Sequence, residues 1–309
     1  MEAMISTILN AFFGATFAFS LSGFLVEIFK QEVTIPAILG IVYLVYNLRS
    51  AAARTNFKRV IKDNIKFSWT KQSGFKEILI FVAFLLFYKI SRFVAIGDET
   101  TAFANAYRII EWEKTLGIFN EISVQRFFDD KESLIKFLNQ IYLRVHVPST
   151  VIFFVWLYHW HKNYYFYVRN AFMLANVITI FFFIGFPCAP PRMLNDVGFV
   201  DTLRDISKIN IYKGKLSYLF NQYAAMPSMH FGTSLLLAMV VWYLSKNFII
   251  RWGVWIYPPF VLLVIVATAN HFYLDAVLGG LIVIFPFIVM PMIWKKYRFA
   301  ALKEEAKKL

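Results

Sequence analysis

Residues 253–293 read GVWIYPPFVLLVIVATANHFYLDAVLGGLIVIFPFIVMPMI and contain two apolar runs, 253–270 and 273–293. Each run is close to the ~20 residues that an α-helix needs to cross about 30 Å of hydrocarbon. His271 and Asp275 stand where the two runs meet. Ionisable side chains are costly at the rim of a hydrocarbon layer unless they pair or bind a ligand. This stretch therefore predicts two membrane helices with functional residues at their junction.

The composition of the whole chain agrees with a membrane environment. Of the 309 residues, 59% are hydrophobic and only 17% are charged, which is too apolar for a soluble domain of this size. A formal net charge of +13 is also found in nucleic-acid-binding proteins. Here, however, the Lys and Arg residues fall in short segments between apolar runs, where they act as topology signals. We therefore expect a membrane partner and no nucleic-acid partner.

Eight apolar runs are long enough, or nearly so, to cross a bilayer. The predicted spans are residues 8–29, 34–48, 77–95, 141–160, 171–187, 227–245, 253–270 and 273–293. The predicted fold is all-α. It is a polytopic membrane helix bundle in which two N-terminal transmembrane helices precede a six-helix core.

The basic residues predict how this bundle is oriented. Segment 49–76 carries eight Lys or Arg residues against one acid, and the tail from Lys295 is also basic. Both are expected in the cytoplasm, because Lys and Arg are concentrated in cytoplasmic loops. Alternating spans then place the 188–226 loop, His230 and His271 together on the opposite, extracytoplasmic or lumenal, face.

His271 and Asp275 are a candidate catalytic pair. They are four residues apart, so a helix that begins near Asn270 would place them on one face, one turn apart. The carboxylate can then accept the Nδ1 proton of the imidazole and leave Nε2 as a nucleophile or base. The alternative is a polar pair that joins two spans and does no chemistry.

Two further motifs offer groups that bind phosphate. The stretch Met226-Pro-Ser-Met-His230 predicts a helix that starts with Pro227 in its first turn, where Ser228 and nearby amides form an anion site. Arg192 follows two prolines, which hold it on a stiff turn suited to bidentate contact with phosphate. The alternatives are a solvated histidine at an ordinary helix start and an arginine that anchors among lipid headgroups. Together with the imidazole and carboxylate pair, these are the parts for phosphoryl transfer through a covalent intermediate.

These residues resemble the three signature motifs of the phosphatidic acid phosphatase type 2 superfamily: Arg192, Pro-Ser-X-His230 and His271-X-X-X-Asp275. The resemblance covers about residues 100–290. It is greatest to the branch that includes fungal inositol phosphorylceramide synthase and its bacterial relatives. The features that indicate this branch are Ala189-Pro-Pro-Arg192, Tyr142, His146, Gly198-Phe-Val-Asp-Thr202 and Ala224-Ala-Met-Pro-Ser-Met-His230.

The resemblance implies a role for each matching residue. His271 would attack phosphorus to form a phosphohistidine, Asp275 would orient and charge it, and His230 would protonate the departing alkoxide. Arg192 and Ser228 would hold the phosphate oxygens. No metal or other cofactor is expected, and the partners are a phospholipid substrate and a lipid acceptor.

Four positions depart from the common form of the family. Gly185 and Ile265 stand where a lysine and an arginine are usual, while Met193 and Met229 replace a proline and a glycine. Two phosphate-binding cations are therefore missing. A phosphodiester carries less charge than a phosphomonoester and needs fewer cations, which favours transfer of a headgroup phosphate between lipids.

Tyr142 and His146 are the predicted additional substrate-binding residues. They are four apart and share a face of the predicted helix, where His146 can supply a hydrogen-bond donor. The alternative for His146 is a core histidine bonded to a neighbouring span.

The chain divides into three predicted parts. They are an N-terminal transmembrane hairpin with a basic cytoplasmic loop at 1–76, a six-helix catalytic membrane domain at 77–296, and a basic cytoplasmic tail at 297–309.

The leading function is an integral-membrane lipid phosphotransferase, or inositolphosphotransferase, of sphingolipid metabolism. A lipid phosphate phosphatase that uses water as acceptor is the second function considered. The third is a lipid transporter or scramblase whose histidines pair across a pathway without breaking a bond. A zinc site built from His230, His271 and Asp275 is a further alternative.

Overall fold

The computed structural model describes residues 74–94, 97–209 and 221–306. Within these residues the fold is all-α, as predicted, and the one β-type contact is an isolated bridge between Cys188 and Ala224. The two predicted N-terminal spans, 8–29 and 34–48, lie outside the described residues.

Ten α-helices and several shorter helical turns make up the described part of the chain. The α-helices are α1 Gly74–Val94, α2 Glu99–Leu116, α3 Glu121–Arg126, α4 Glu132–Arg144, α5 His146–Trp160, α6 Lys162–Gly185, α7 Met229–Leu244, α8 Phe248–Gly253, α9 Tyr257–Ala267 and α10 Tyr273–Ala306. The shorter turns are Pro191–Met193, Asn195–Val197, Thr202–Ile206 and Val254–Ile256.

Three segments are long and apolar enough to cross a membrane: Tyr164–Gly185, Phe248–Ala267 and Tyr273–Met290. Helices α4 and α5 form a fourth candidate if the bent pair is one span. Helix α7 is apolar but has only 16 residues. The chain is therefore a membrane protein, while the six-plus-two arrangement of spans stays a prediction.

The predicted span 141–160 is divided between two helices. Helix α4 ends at Arg144 and α5 begins at His146, with a bend of 48° between them. Pro148 explains the break, because a proline lacks an amide donor and its ring clashes with the carbonyl four residues earlier. That earlier residue is Arg144.

Helix α10 packs against α7 and α6, and α9 packs against α7 and α4. Two glycines allow α7 and α10 to approach closely. A Cβ on Gly232 would lie 2.6 Å from the carbonyl oxygen of Gly279, and a Cβ on Gly279 would overlap the backbone of Ser228. The close approach sets the start of α7 against α10, where the amide of Ser228 donates to the carbonyl of Asp275 over 2.9 Å.

The connection between α6 and α7 is buried along much of its length, although connecting segments usually lie at the surface. Backbone hydrogen bonds hold it in place. The amide of Cys188 donates to the carbonyl of Tyr223 over 2.7 Å, and the amide of Arg192 donates to the carbonyl of Ala269 over 2.8 Å. The second bond attaches Arg192 to the turn that precedes α10.

A buried ion pair, called here the distal pair, joins α1 to α6. Arg169 donates through Nη1 to Oε2 of Glu77, and the side chains are 11% and 4% exposed. Arg169 lies 16 residues before the end of α6 at Gly185. At 1.5 Å per residue it is about 24 Å from the end of α6 that leads to Arg192.

Candidate active site

His271 lies in the turn just before α10, because that helix begins at Tyr273 and not near Asn270. Its Nδ1 lies 2.8 Å from the carbonyl oxygen of Ala225 and 3.4 Å from Oδ2 of Asp275. A carbonyl oxygen only accepts hydrogen bonds, so Nδ1 carries the proton and Nε2 keeps its lone pair. From the sequence we expected the carboxylate of Asp275 to accept the Nδ1 proton. In the structure the nearer acceptor is a main-chain carbonyl from the start of the neighbouring motif.

Asp275 is fully buried and stabilises the turn that carries His271. Its Oδ2 accepts a hydrogen bond of 2.9 Å from the amide of Phe272. Its Oδ1 is buried without a hydrogen-bond partner among the described residues. The carboxylate therefore holds the histidine mainly through the backbone, and also lies close to the imidazole ring.

His230 is surrounded by three other rings of the predicted site. Its ring centroid lies 4.5 Å from that of Tyr142, 4.4 Å from that of His146 and 5.8 Å from that of His271. Tyr142 and His146 lie on opposite sides of the bend between α4 and α5, so they do not share a face of one helix as predicted. The bend still directs both rings to the same histidine.

Arg192 is buried in a short 3₁₀ turn, Pro191–Met193. Its Nη1 donates to Oδ1 of Asn270, and the hydroxyl of Tyr142 is also a hydrogen-bond partner. Burial lowers the pKa of Arg192, and the nearby Tyr142 and Asp201 partly offset this effect. Arginine keeps its proton in proteins, so the guanidinium remains a positive charge at this position.

Ser228 precedes the first residue of α7 and occupies its N-cap position. Pro227 therefore lies outside the helix and not in its first turn, and the Met226–Pro227 peptide bond is cis. The Ser228 hydroxyl is fully buried and has no hydrogen-bond partner among the described residues. A buried hydroxyl of this kind costs about 1–3 kcal/mol. The first amides of a helix also lack intrahelical acceptors, so this corner offers several donors to an anion.

Two of the positions that depart from the family pattern, Ile265 and Met229, are buried. Ile265 is fully buried in a hydrophobic cluster with Val261, Val266 and Ala276. Its carbonyl oxygen accepts the amide of His271 over 3.2 Å. Met229 is also buried, and its sulfur accepts a hydrogen bond of 3.1 Å from Thr179.

Several residues at the site were not identified from the sequence. Asn270 holds Arg192, and the carbonyl of Ala225 holds His271. Glu113 and Glu121 are fully buried, although carboxylates are rarely buried without a partner. Gly117 between these two acids is the available signal, because glycine commonly ends a helix and reverses the chain.

The alternative of a zinc site is not supported. Among residues 74–94, 97–209 and 221–306, no three His, Cys, Asp or Glu side chains are placed to hold a metal ion together. His230, His271 and Asp275 therefore do not form the three-ligand cluster that was considered.

A family model described as the PAP2 superfamily matches residues 107–289, more than half of the chain. The chain belongs to the PAP2 superfamily. Members of the PAP2 superfamily are typically phosphatases or phosphotransferases. No curated protein and no solved structure gave a match. The matched range contains every predicted site residue: Tyr142, His146, Arg192, Ser228, His230, His271 and Asp275.

Proposed function

We propose that this PAP2 superfamily protein is an integral-membrane lipid phosphotransferase that works through a phosphohistidine on His271. The observation that carries the proposal is the 2.8 Å contact between Nδ1 of His271 and the carbonyl oxygen of Ala225. This contact leaves Nε2 as the nucleophilic nitrogen. A second imidazole, His230, lies beside it with 5.8 Å between ring centroids.

In the first step, Nε2 of His271 attacks phosphorus. The phosphorus–nitrogen bond forms as the bond to the departing alkoxide breaks, and protonated His230 gives its proton to that alkoxide. Arg192 and the Ser228 hydroxyl hold the non-bridging phosphate oxygens. The negative Asp275 stabilises the positive charge that develops on the imidazole.

In the second step, neutral His230 takes the proton of an acceptor hydroxyl, whose oxygen then attacks the phosphohistidine. The phosphorus–nitrogen bond breaks and free His271 is restored. Tyr142 and His146 contact the His230 ring and fix its orientation in both steps. Tyr142 also contacts Arg192, so it joins the proton-transfer group to the phosphate-binding group.

One feature favours a lipid acceptor over water, and a second favours a phosphodiester donor. Arg192, Ser228, His271 and Asp275 are each at most 5% exposed, which limits the access of bulk water. Gly185 and Ile265 stand in place of two family cations, which suits a phosphodiester donor such as an inositol phospholipid. A phosphatase that uses water at the same histidines is the second candidate.

The proposed location of the site is the extracytoplasmic or lumenal face of a multi-pass protein. The basic segment 49–76 and the basic tail from Lys295 support this orientation, since such segments stay in the cytoplasm. The site lies at the opposite end of α10 from that tail.

The deciding experiment incubates the purified protein with phospholipids labelled in the headgroup phosphate and quenches the reaction in alkali. We expect alkali-stable label on the wild-type protein and none on His271→Asn. His230→Ala should form the phosphohistidine slowly from a phospholipid. It should form it at a near wild-type rate from a nitrophenyl phosphodiester, whose leaving group needs no proton.

The matched control is His159→Asn, which changes an exposed histidine near the far end of α5. A folded wild-type protein that takes no label from any phospholipid would overturn the covalent mechanism and leave the transporter alternative. Adding ceramide or diacylglycerol decides the acceptor. Labelled lipid product supports the transferase, and labelled phosphate released into water supports the phosphatase.

A further inference from the structure

Two buried carboxyl groups bind the start of α10, next to the candidate nucleophile His271. Glu113 belongs to α2 and Glu121 is the first residue of α3, and both are fully buried. Oε1 of Glu113 accepts a hydrogen bond of 2.8 Å from the amide of Leu274. Oε1 of Glu121 accepts one of 3.3 Å from the amide of Tyr273. Both acids therefore bind the first residues of α10.

The turn after α2 brings the two acids together. Gly117 adopts a left-handed conformation with φ 71°, and the carbonyl oxygen of Glu113 accepts the amide of Ile118 over 2.9 Å. This C-cap reverses the chain toward α3. Glu121 is fixed in turn by the amide of Asn120, which donates to its Oε2 over 3.0 Å.

The start of α10 has three consecutive amides bound by carboxyl groups. Phe272 donates to Asp275, Tyr273 to Glu121 and Leu274 to Glu113. The first amides of a helix lack intrahelical acceptors, so these bonds fix the geometry of the helix start. His271 directly precedes the three amides, and any movement of the turn changes its position.

The buried surroundings of Glu113 affect the protonation of its carboxyl group. Burial, together with the neighbouring carboxyl groups of Glu121 and Asp275, raises the pKa of Glu113 well above its ordinary value, against the lowering effect of the Leu274 amide. Burial therefore favours the protonated, neutral form of the Glu113 carboxyl group. The positive end of the α10 dipole favours negative charge at this position.

We infer that Glu113 and Glu121 are positioning residues that hold the first turn of α10 and thereby keep Asp275 and His271 in place for attack on phosphorus. The inference rests on the proposed function for its effect on the reaction. The placement of the histidine itself can be measured without turnover.

The first test compares two substitutions of Glu113. Glu113→Gln keeps an acceptor for the Leu274 amide and the neutral charge of a protonated carboxyl group, so kcat should stay within about threefold of wild type. Glu113→Ala removes the acceptor for the Leu274 amide, and kcat should fall about 30-fold with KM within about threefold, because misplacement of about 1 Å can cost 100-fold in rate. The matched control is Glu111→Ala, an exposed residue of the same helix.

The second test records the imidazole NMR signals of the protein labelled with ¹⁵N-histidine, with the His271 signal assigned from His271→Asn. Glu113→Ala should shift the His271 signal, whereas Glu113→Gln and Glu111→Ala should leave it unchanged. If Glu113→Ala does not fold, Glu113→Asp replaces it, since the shorter side chain withdraws the carboxyl from Leu274 and keeps the acid.

The two tests separate the two claims. A folded Glu113→Ala or Glu113→Asp variant with wild-type kcat and an unchanged His271 signal would overturn the positioning role. Equal losses of kcat in Glu113→Ala and Glu113→Gln would also overturn it. A shifted His271 signal in a protein whose wild type takes no phosphate label would support the positioning role and reject only the proposed function.

Discussion

Two regions of the molecule bury an arginine, and they hold it differently. In the distal pair, Arg169 donates to the carboxylate of Glu77, and its other nitrogens donate to Oδ1 of Asn170 over 3.2 and 2.9 Å. At the candidate active site, Arg192 donates to the neutral oxygens of Asn270 and Tyr142, and Asp201 is near enough to act on its charge.

The difference indicates two uses of buried charge. A guanidinium bound to a carboxylate is neutralised within the protein, and it holds two helices together. A guanidinium held by neutral oxygens is fixed in position while its field stays available to an anionic ligand. The distal pair should therefore serve stability, and Arg192 should serve catalysis.

The largest effect is expected from Arg192→Met. The change removes the cation from the phosphate site, and kcat/KM for the phospholipid should fall about 10³-fold, or about 4 kcal/mol. The unfolding midpoint should change little. Assays of turnover and thermal unfolding on the same purified sample measure both, with the exposed Arg144→Met as control. Activity within tenfold of wild type would remove Arg192 from the phosphate site.

Arg169→Met should have the opposite profile. It leaves the buried carboxylate of Glu77 without its cation, and the free energy of unfolding should fall by about 3 kcal/mol. The rate per folded molecule should stay within about twofold, because the pair is about 24 Å along α6 from the site end. Denaturant unfolding in detergent measures the first quantity and kcat the second.

The double variant Glu77→Leu with Arg169→Met sharpens this result. Replacing both charges with apolar groups should recover most of the lost stability, because no buried charge then lacks a partner. If the double variant is as unstable as Arg169→Met alone, packing of the long side chain explains the loss instead.

Of the three single substitutions, Ser228→Ala is expected to have the smallest effect. Loss of one phosphate donor should lower kcat/KM about tenfold, since the first amides of α7 still bind the anion. Stability should be unchanged or slightly higher, because a buried hydroxyl without a partner is removed. Ser245→Ala, at the other end of α7, is the control. A loss of stability with unchanged kinetics would assign Ser228 a purely structural role.

The lengths of the apolar runs in the sequence predict several of the observed helices. The predicted spans 253–270 and 273–293 correspond to α8 with α9 and to the first part of α10, and the predicted span 171–187 lies largely within α6. For the predicted span 141–160 the apolar count missed a bend: Pro148 divides the run into α4 and α5, which together still qualify as one candidate span. A count of apolar residues does not register the loss of one backbone hydrogen bond, although that loss decides the bend.

The amino-acid pattern was enough to propose the chemical groups of the candidate site: two histidines, an aspartate, an arginine and a serine, placed at the ends of apolar runs. The neighbours that hold these groups in place are visible only in the folded chain. Ala225 and His271 are 46 residues apart, and Glu113 and Leu274 are 161 apart. Hydrogen bonds are short and directional, so pairs this distant in sequence form only where helix packing brings them together. The packing in turn depends on close contacts such as that of Gly279 with Ser228, which local sequence patterns do not specify.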